Sequence, residues 1–141
     1  VDVNVYRIEH PAFPSEGPWQ TGAVCRYDGH PRVSGDHSAY DPPGPRSSGE
    51  HGTALFALFN ACRADYHDFY FGFRSKTQLV RWFRSKAGRE AMQAGGLAVL
   101  RVYEVDPEHV VAGNWQVAFR HTAAKPIATL DLATLKPAGE C

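Results

Sequence analysis

The sequence predicts an α+β protein with a small, mostly antiparallel sheet and two or three helices. Three observations predict it: an alternating segment opens the chain at residues 3–9, amphipathic stretches with helical spacing fill the middle, and β-branched and aromatic runs close it, led by residues 97–105. Strands first, helices between and strands last is the order of an α+β fold, whereas a doubly wound parallel sheet alternates the two throughout. A chain of 141 residues suits one domain, residues 1–141, in which residues 11–50 form a long Pro/Gly/His-rich loop region.

In residues 3–9, Val3, Val5 and Ile8 stand against Asn4, Arg7 and Glu9, the alternation of a strand. Residues 10–50 hold most of the prolines and many glycines and serines, and such punctuation leaves no room for long regular elements. Within them, residues 41–49 read as a mobile loop. A helix is predicted over residues 51–66, where Leu55, Leu58, Phe59 and Cys62 follow i, i+3, i+4, i+7 spacing. An aromatic strand follows at residues 69–73. Ser75 is a candidate N-cap, and Gln78 three residues on completes a capping-box pattern for a helix that buries Leu79, Trp82 and Phe83. Gly88 weakens that helix, and Gly95 and Gly96 end whatever follows. Residues 97–105 are the clearest strand, Asp106 and Pro107 a turn, and residues 116–119 a short strand after the turn at Gly113 and Asn114. The tail, with Ile127, Leu130, Leu132 and Leu135, packs as a strand or a short helix.

Composition narrows the function classes. Hydrophobic content of 43%, charged content of 21% and zero net charge describe a soluble globular protein, not one whose whole surface binds nucleic acid. No apolar run is long enough to cross a membrane, and the N-terminus has no basic stretch followed by an apolar one, so neither a membrane span nor a secretory leader is expected. Three cysteines, Cys25, Cys62 and Cys141, without CxxC spacing fit a reducing cytoplasm better than a disulfide scaffold. The oligomeric state stays open.

Several constellations compete. His30, His37 and His51, with Asp36 and Cys25 near them in sequence, could assemble a metal site, but no HxH, HExxH or finger spacing supports one, and no metal is expected. Ser34, Asp36 and His37 carry hydrolase residue types, but there is no GxSxG elbow. No Walker A or GxGxxG pattern occurs. Arg74, Lys76, Arg81, Arg84, Lys86 and Arg89 form a basic stretch, while residues 1–73 carry nine acids and five Lys or Arg. A basic helix face binds phosphates or an acidic protein surface, or is simply a solvated outer face.

The last constellation spans separate strands. The planar fork of Arg7 suits a phosphate or carboxylate. Ser75 stands where a strand becomes a helix, a place where free backbone amides favour anions. Gln116 can hydrogen-bond a ribose hydroxyl or an amide. Tyr6, Phe73, Tyr103 and Trp115 offer flat surface for a ring to stack on, or pack as ordinary core.

Two resemblances rest on these residues. Tyr6-Arg7, Gly72-Phe73-Arg74-Ser75, Trp82-Phe83, Tyr103-Glu104-Val105 and the Gly113 to Phe119 segment resemble a family of small bacteriophage and prophage proteins, a likeness that brings no activity with it. The order of Arg7 (or His10), Ser75 and Gln116 is similar to that of the ADP-ribosyltransferase fold, which places an Arg or His on its first strand, a Ser or Tyr on the next key strand and a Glu on a later one. That resemblance implies an ADP-ribosyltransferase-like sheet and an NAD site, with Arg7 and His10 holding the cofactor, Ser75 supporting the nicotinamide ribose, Tyr6 and Phe73 stacking, and Gln116 or Glu104 at the reacting sugar. Gln116 departs from the family, because a neutral carboxamide does not stabilise an oxocarbenium-like centre as a carboxylate does. Two expectations follow: an ADP-ribosyltransferase-like phage accessory protein that binds NAD or a related nucleotide and modifies a host macromolecule, or a non-enzymatic phage inhibitor that blocks a bacterial (defence) protein through its basic helix and mobile loop. A nucleic-acid module built on the basic stretch ranks below both, since net charge is zero.

Overall fold

The computed structural model describes residues 1–17, 50–60 and 68–137. The expected loop at 41–49, the end of the helix expected to reach residue 66, and Cys25, His30, Ser34, Asp36, His37, Cys62 and Cys141 lie outside the described residues.

Strand β1 (Val3–Glu9) pairs antiparallel with β3 (Val99–Val105), which pairs antiparallel with β6 (Ala124–Leu130). A second antiparallel sheet has the order β2 (Phe69–Gly72), β5 (Val117–Arg120), β4 (Val110–Ala112). The expected α+β class is the one observed, in two three-stranded sheets rather than one. They are stitched where Tyr6 and Phe73 exchange both backbone hydrogen bonds, at 2.8 and 2.7 Å. Gly72 permits this approach, since a Cβ there would stand 2.6 Å from a Val5 methyl and 3.0 Å from the Tyr6 carbonyl oxygen.

The three described α-helices are α1 (Ala54–Asn60), α2 (Lys76–Trp82) and α3 (Lys86–Ala94). Thr53 starts α1 by accepting the Phe56 amide, and Leu55, Leu58 and Phe59 are buried as their spacing predicts. Ser75 caps α2 by accepting the Gln78 amide at 3.0 Å. The capping box closes one residue early, because Gln78 Oε1 takes the Arg74 amide at 2.8 Å rather than that of the cap residue. Helical spacing alone does not reveal that α2 and α3 are separate. The chain breaks after Phe83, and Ser85 caps α3 by accepting the Gly88 amide.

Side-chain parity stacks these elements in layers. Ile8, Leu100, Val102 and Leu130 on one face of the first sheet pack against Leu79, Trp82, Phe83 and Met92 of the α2–α3 region. Val5, Tyr103 and Val105 on its other face meet Val117 and Phe119 of the second sheet. Phe69 and Ala118, behind them, pack against Leu55, Leu58 and Phe59 of α1. Apolar burial on both faces of both sheets is the dominant stabilising term.

Candidate functional site

On β1, Arg7 and Glu9 share the inward parity of Val5, so both polar side chains enter the space between the sheets instead of facing water. Register places Arg7 directly opposite Arg101, and Val5 opposite Tyr103. Glu9, 1% exposed, becomes the hub of a charge cluster. Its Oε1 accepts from Arg7 Nε at 3.1 Å and from the Tyr103 hydroxyl at 2.7 Å, and its Oε2 accepts from Arg101 Nε at 3.4 Å. Arg7 also donates to the carbonyls of Phe71 at 2.8 Å and Pro14 at 3.0 Å, and its guanidinium lies over the Tyr70 ring. Arg101 reaches Thr129 Oγ1 and the Pro11 carbonyl. Burial pushes the Arg7 guanidinium below its ordinary value, opposed first by the charge of Glu9, yet arginine stays ionised in proteins. Burial pushes the Tyr103 phenol up, and its hydrogen bond to Glu9 adds to the rise, so it donates as a neutral hydroxyl. Among the described residues, two guanidinium groups surround one carboxylate, a surplus of one positive charge.

The sequence-predicted site residues divide among different places. Tyr6 and Phe73 are joined by their backbones but pack on the helix side of the first sheet, the face opposite the Arg7 side chain. Ser75 caps α2. His10 accepts the Ala12 amide on Nδ1 and lies against Phe13. Glu104 stands between Asn4 and Lys125 in the ladder, at the opposite end of β1 and β3 from His10. Gln116, expected to open a short strand at residues 116–119, instead precedes β5, the central strand of the second sheet; it is buried, and its carbonyl accepts the Gly113 amide. The described residues do not gather these seven side chains into one cleft, because neighbours in a strand point to opposite faces. The guanidinium expected to grip a phosphate is already committed to three internal acceptors.

Sequence reasoning missed Glu9, Arg101 and Glu50 as site-forming residues. The available signal was parity: Glu9 shares the inward face of Val5, and Arg101 the face of Tyr103 and Val105. Glu50 is fully buried and accepts the amides of Asn114 at 2.6 Å and Trp115 at 3.5 Å. It thereby fixes the turn between β4 and β5, and a Cβ at Gly113 would collide with the Glu50 carboxylate and with Leu55.

That turn supports the second candidate site, an exposed basic face. Arg74, Lys76, Arg81, Arg84 and Lys86 are exposed. Arg89, sixth in the basic stretch, is buried instead and donates to the carbonyls of Phe83, Arg84, Leu132 and Ala133, tying α3 to the segment after β6. Arg81 lies flat on Trp115 with its guanidinium carbon 3.7 Å from the ring centroid, and it donates to the Asn114 carbonyl at 3.4 Å. Gln78 donates to the same carbonyl, which ties α2 to the turn held by Glu50. Among the described residues, Arg74, Lys76, Arg81 and Lys86 form no ion pair. No group of three or more His, Cys, Asp or Glu that could hold a metal occurs among the described residues, and no described helix is long and apolar enough to cross a membrane.

A family model described as "Bacteriophage T4 Y00F protein" matches residues 3–133, and the chain belongs to that phage protein family. No curated protein and no solved structure matches the chain. None of these comparisons shows a likeness to ADP-ribosyltransferases.

Proposed function

We propose that this member of the bacteriophage T4 Y00F family works by binding: its exposed basic face docks on an acidic surface of a bacterial host protein. The observation that carries the reading is Arg81, an exposed guanidinium held against Trp115 and the Asn114 carbonyl and flanked by Arg74, Lys76 and Lys86. An arginine stacked in place loses little freedom on forming a bidentate pair with a carboxylate, so more of the interaction energy reaches affinity. Zero net charge over the whole chain, with the cations gathered in a local patch, suits one acidic protein surface better than a polyanion.

The test compares the wild type with Arg74→Glu/Arg81→Glu and with Gln116→Ala in capture from bacterial lysate at low salt, followed by affinity measurement on the protein recovered. Wild type and Gln116→Ala retain it; the charge reversal weakens it at least about thirtyfold, the weight of an arginine hot spot. Equal retention by the reversed variant ends this reading.

A second reading, an NAD-binding transferase-like protein, draws support from the surplus positive charge of the Arg7, Glu9 and Arg101 cluster between the sheets. Calorimetric titration of NAD with a nicotinamide assay separates the two. Binding heat that Arg101→Ala removes, together with nicotinamide release, favours the transferase. A flat titration leaves the docking reading alone.

A further inference from the structure

Beside the basic face lies a shallow, open groove of about 290 Å³ lined by Lys76, Thr77, Val80 and Leu135, mostly apolar in character. Its walls are one side of α2 and the turn that follows β6. Leu135, on the far wall, is the one described non-glycine residue with a left-handed backbone, at φ 62°. Such a conformation is uncommon for leucine and costs on the order of 1 kcal/mol or more. The turn holds it there: Asp131 Oδ1 accepts the Ala133 and Thr134 amides, the Leu135 amide donates to the Asp131 carbonyl, and the Asp131 amide donates to the Lys136 carbonyl. The effect is to keep a branched apolar side chain against the rim of the core, at the edge of the groove.

We propose that this groove takes one apolar side chain from an acidic segment of the partner protein, while Lys76, Arg81 and Arg74 hold the carboxylates that flank it. The proposal rests on the docking reading above and specifies the partner's chemistry. Charge complementarity selects the occupant. Lys76 is at once a lining residue and an exposed cation without an ion pair among the described residues, and Arg81 stands one helical turn from Thr77. A basic or uncharged segment would leave those cations unpaired, and an acidic segment without an apolar residue would leave Val80 and Leu135 facing water. The combination is that of a short anchor-and-rim interface, in which the apolar residue supplies affinity and the charges supply orientation.

The test uses fluorescein-labelled nine-residue peptides with four Glu on each side of a central Leu, Ala or Ser, read by fluorescence anisotropy at two salt concentrations. The Leu peptide binds about tenfold tighter than the Ser peptide, the weight of a partly buried Leu side chain. Leu135→Gly, which relieves the left-handed backbone and so spares the turn, abolishes the preference for Leu but keeps the salt-sensitive attraction to all three. Thr77→Glu weakens all three together. Equal affinities for Leu, Ala and Ser, with salt-sensitive binding intact, overturn the groove and leave the basic-face reading standing. Absence of salt-sensitive binding by any of the peptides overturns both.

Discussion

Glu9 is the residue on which the buried chemistry turns. Two cations, Arg7 and Arg101, and one hydroxyl, that of Tyr103, converge on its carboxylate. Glu9→Gln keeps the shape and removes the charge, leaving two guanidinium groups near each other without the carboxylate that pairs them among the described residues. Breaking a buried pair in this way costs roughly 3–5 kcal/mol, so urea denaturation should place the variant's midpoint well below that of the wild type. Tyr103 makes a pH-dependent contribution. Its folded phenol holds its proton above the ordinary tyrosine value, so the stability it adds is complete below about pH 10 and is lost as pH rises beyond that. Tyr103→Phe should therefore lower stability at neutral pH by about 1 kcal/mol or more, with the difference from wild type shrinking in strongly alkaline solution. Asp131 runs in the opposite sense. The Thr134 amide and the Gln93 side chain hold its carboxyl below the usual carboxylate range. Its contribution is present above that range and fades as pH falls through the lowered folded value, so Asp131→Asn and wild type should converge in acid thermal melts.

At the scale of elements, two serines decide where helices begin. Both the Ser75 and Ser85 hydroxyls accept the amide three residues on. Ser75→Ala should cost about 1 kcal/mol, with Ser75→Asp largely restoring it, measured by thermal melts. The cap matters to the surface as well, because Gln78, which Ser75 engages, holds the Asn114 carbonyl that Arg81 also uses. Glu50 supports the same surface from behind. Gly113→Ala drives a methyl group into the Glu50 carboxylate and Leu55. It should weaken both stability and peptide binding, whereas Arg81→Ala should weaken binding alone. Arg81→Ala uncovers one face of the Trp115 ring, so tryptophan emission should shift on that substitution.

At the scale of the whole molecule, the layers run from α2 and α3, through the first sheet and the second, to α1. This stacking puts the interior cluster and the exposed basic face at different depths. Arg7 serves the junction of β1, β2 and the segment after β1, through its bonds to Phe71 and Pro14. Arg81 serves the outside. The two sites should therefore respond to salt differently. Peptide affinity should fall steeply with ionic strength, while the denaturation midpoint, set by apolar burial and by charge pairs largely shielded from solvent, should change little; parallel titrations read both.

The sequence by itself determined the α+β class, the bounds of β1, the cap at Ser75, the helical burial of Leu55, Leu58 and Phe59, and a basic stretch around α2. Each of these is local: periodicity, a hydroxyl at a strand end, or a run of like charge acts over a few residues. Only the tertiary structure decided that Arg7 and Glu9 face inward, that Gln116 is buried beside a central strand, and that Arg89 is buried among carbonyls while Arg81 stays outside. Those outcomes depend on which sheet packs against which face. Strand alternation and helical spacing fix that two sets of side chains part company, but it is the partner layer, contributed by residues remote in sequence, that determines which set meets water.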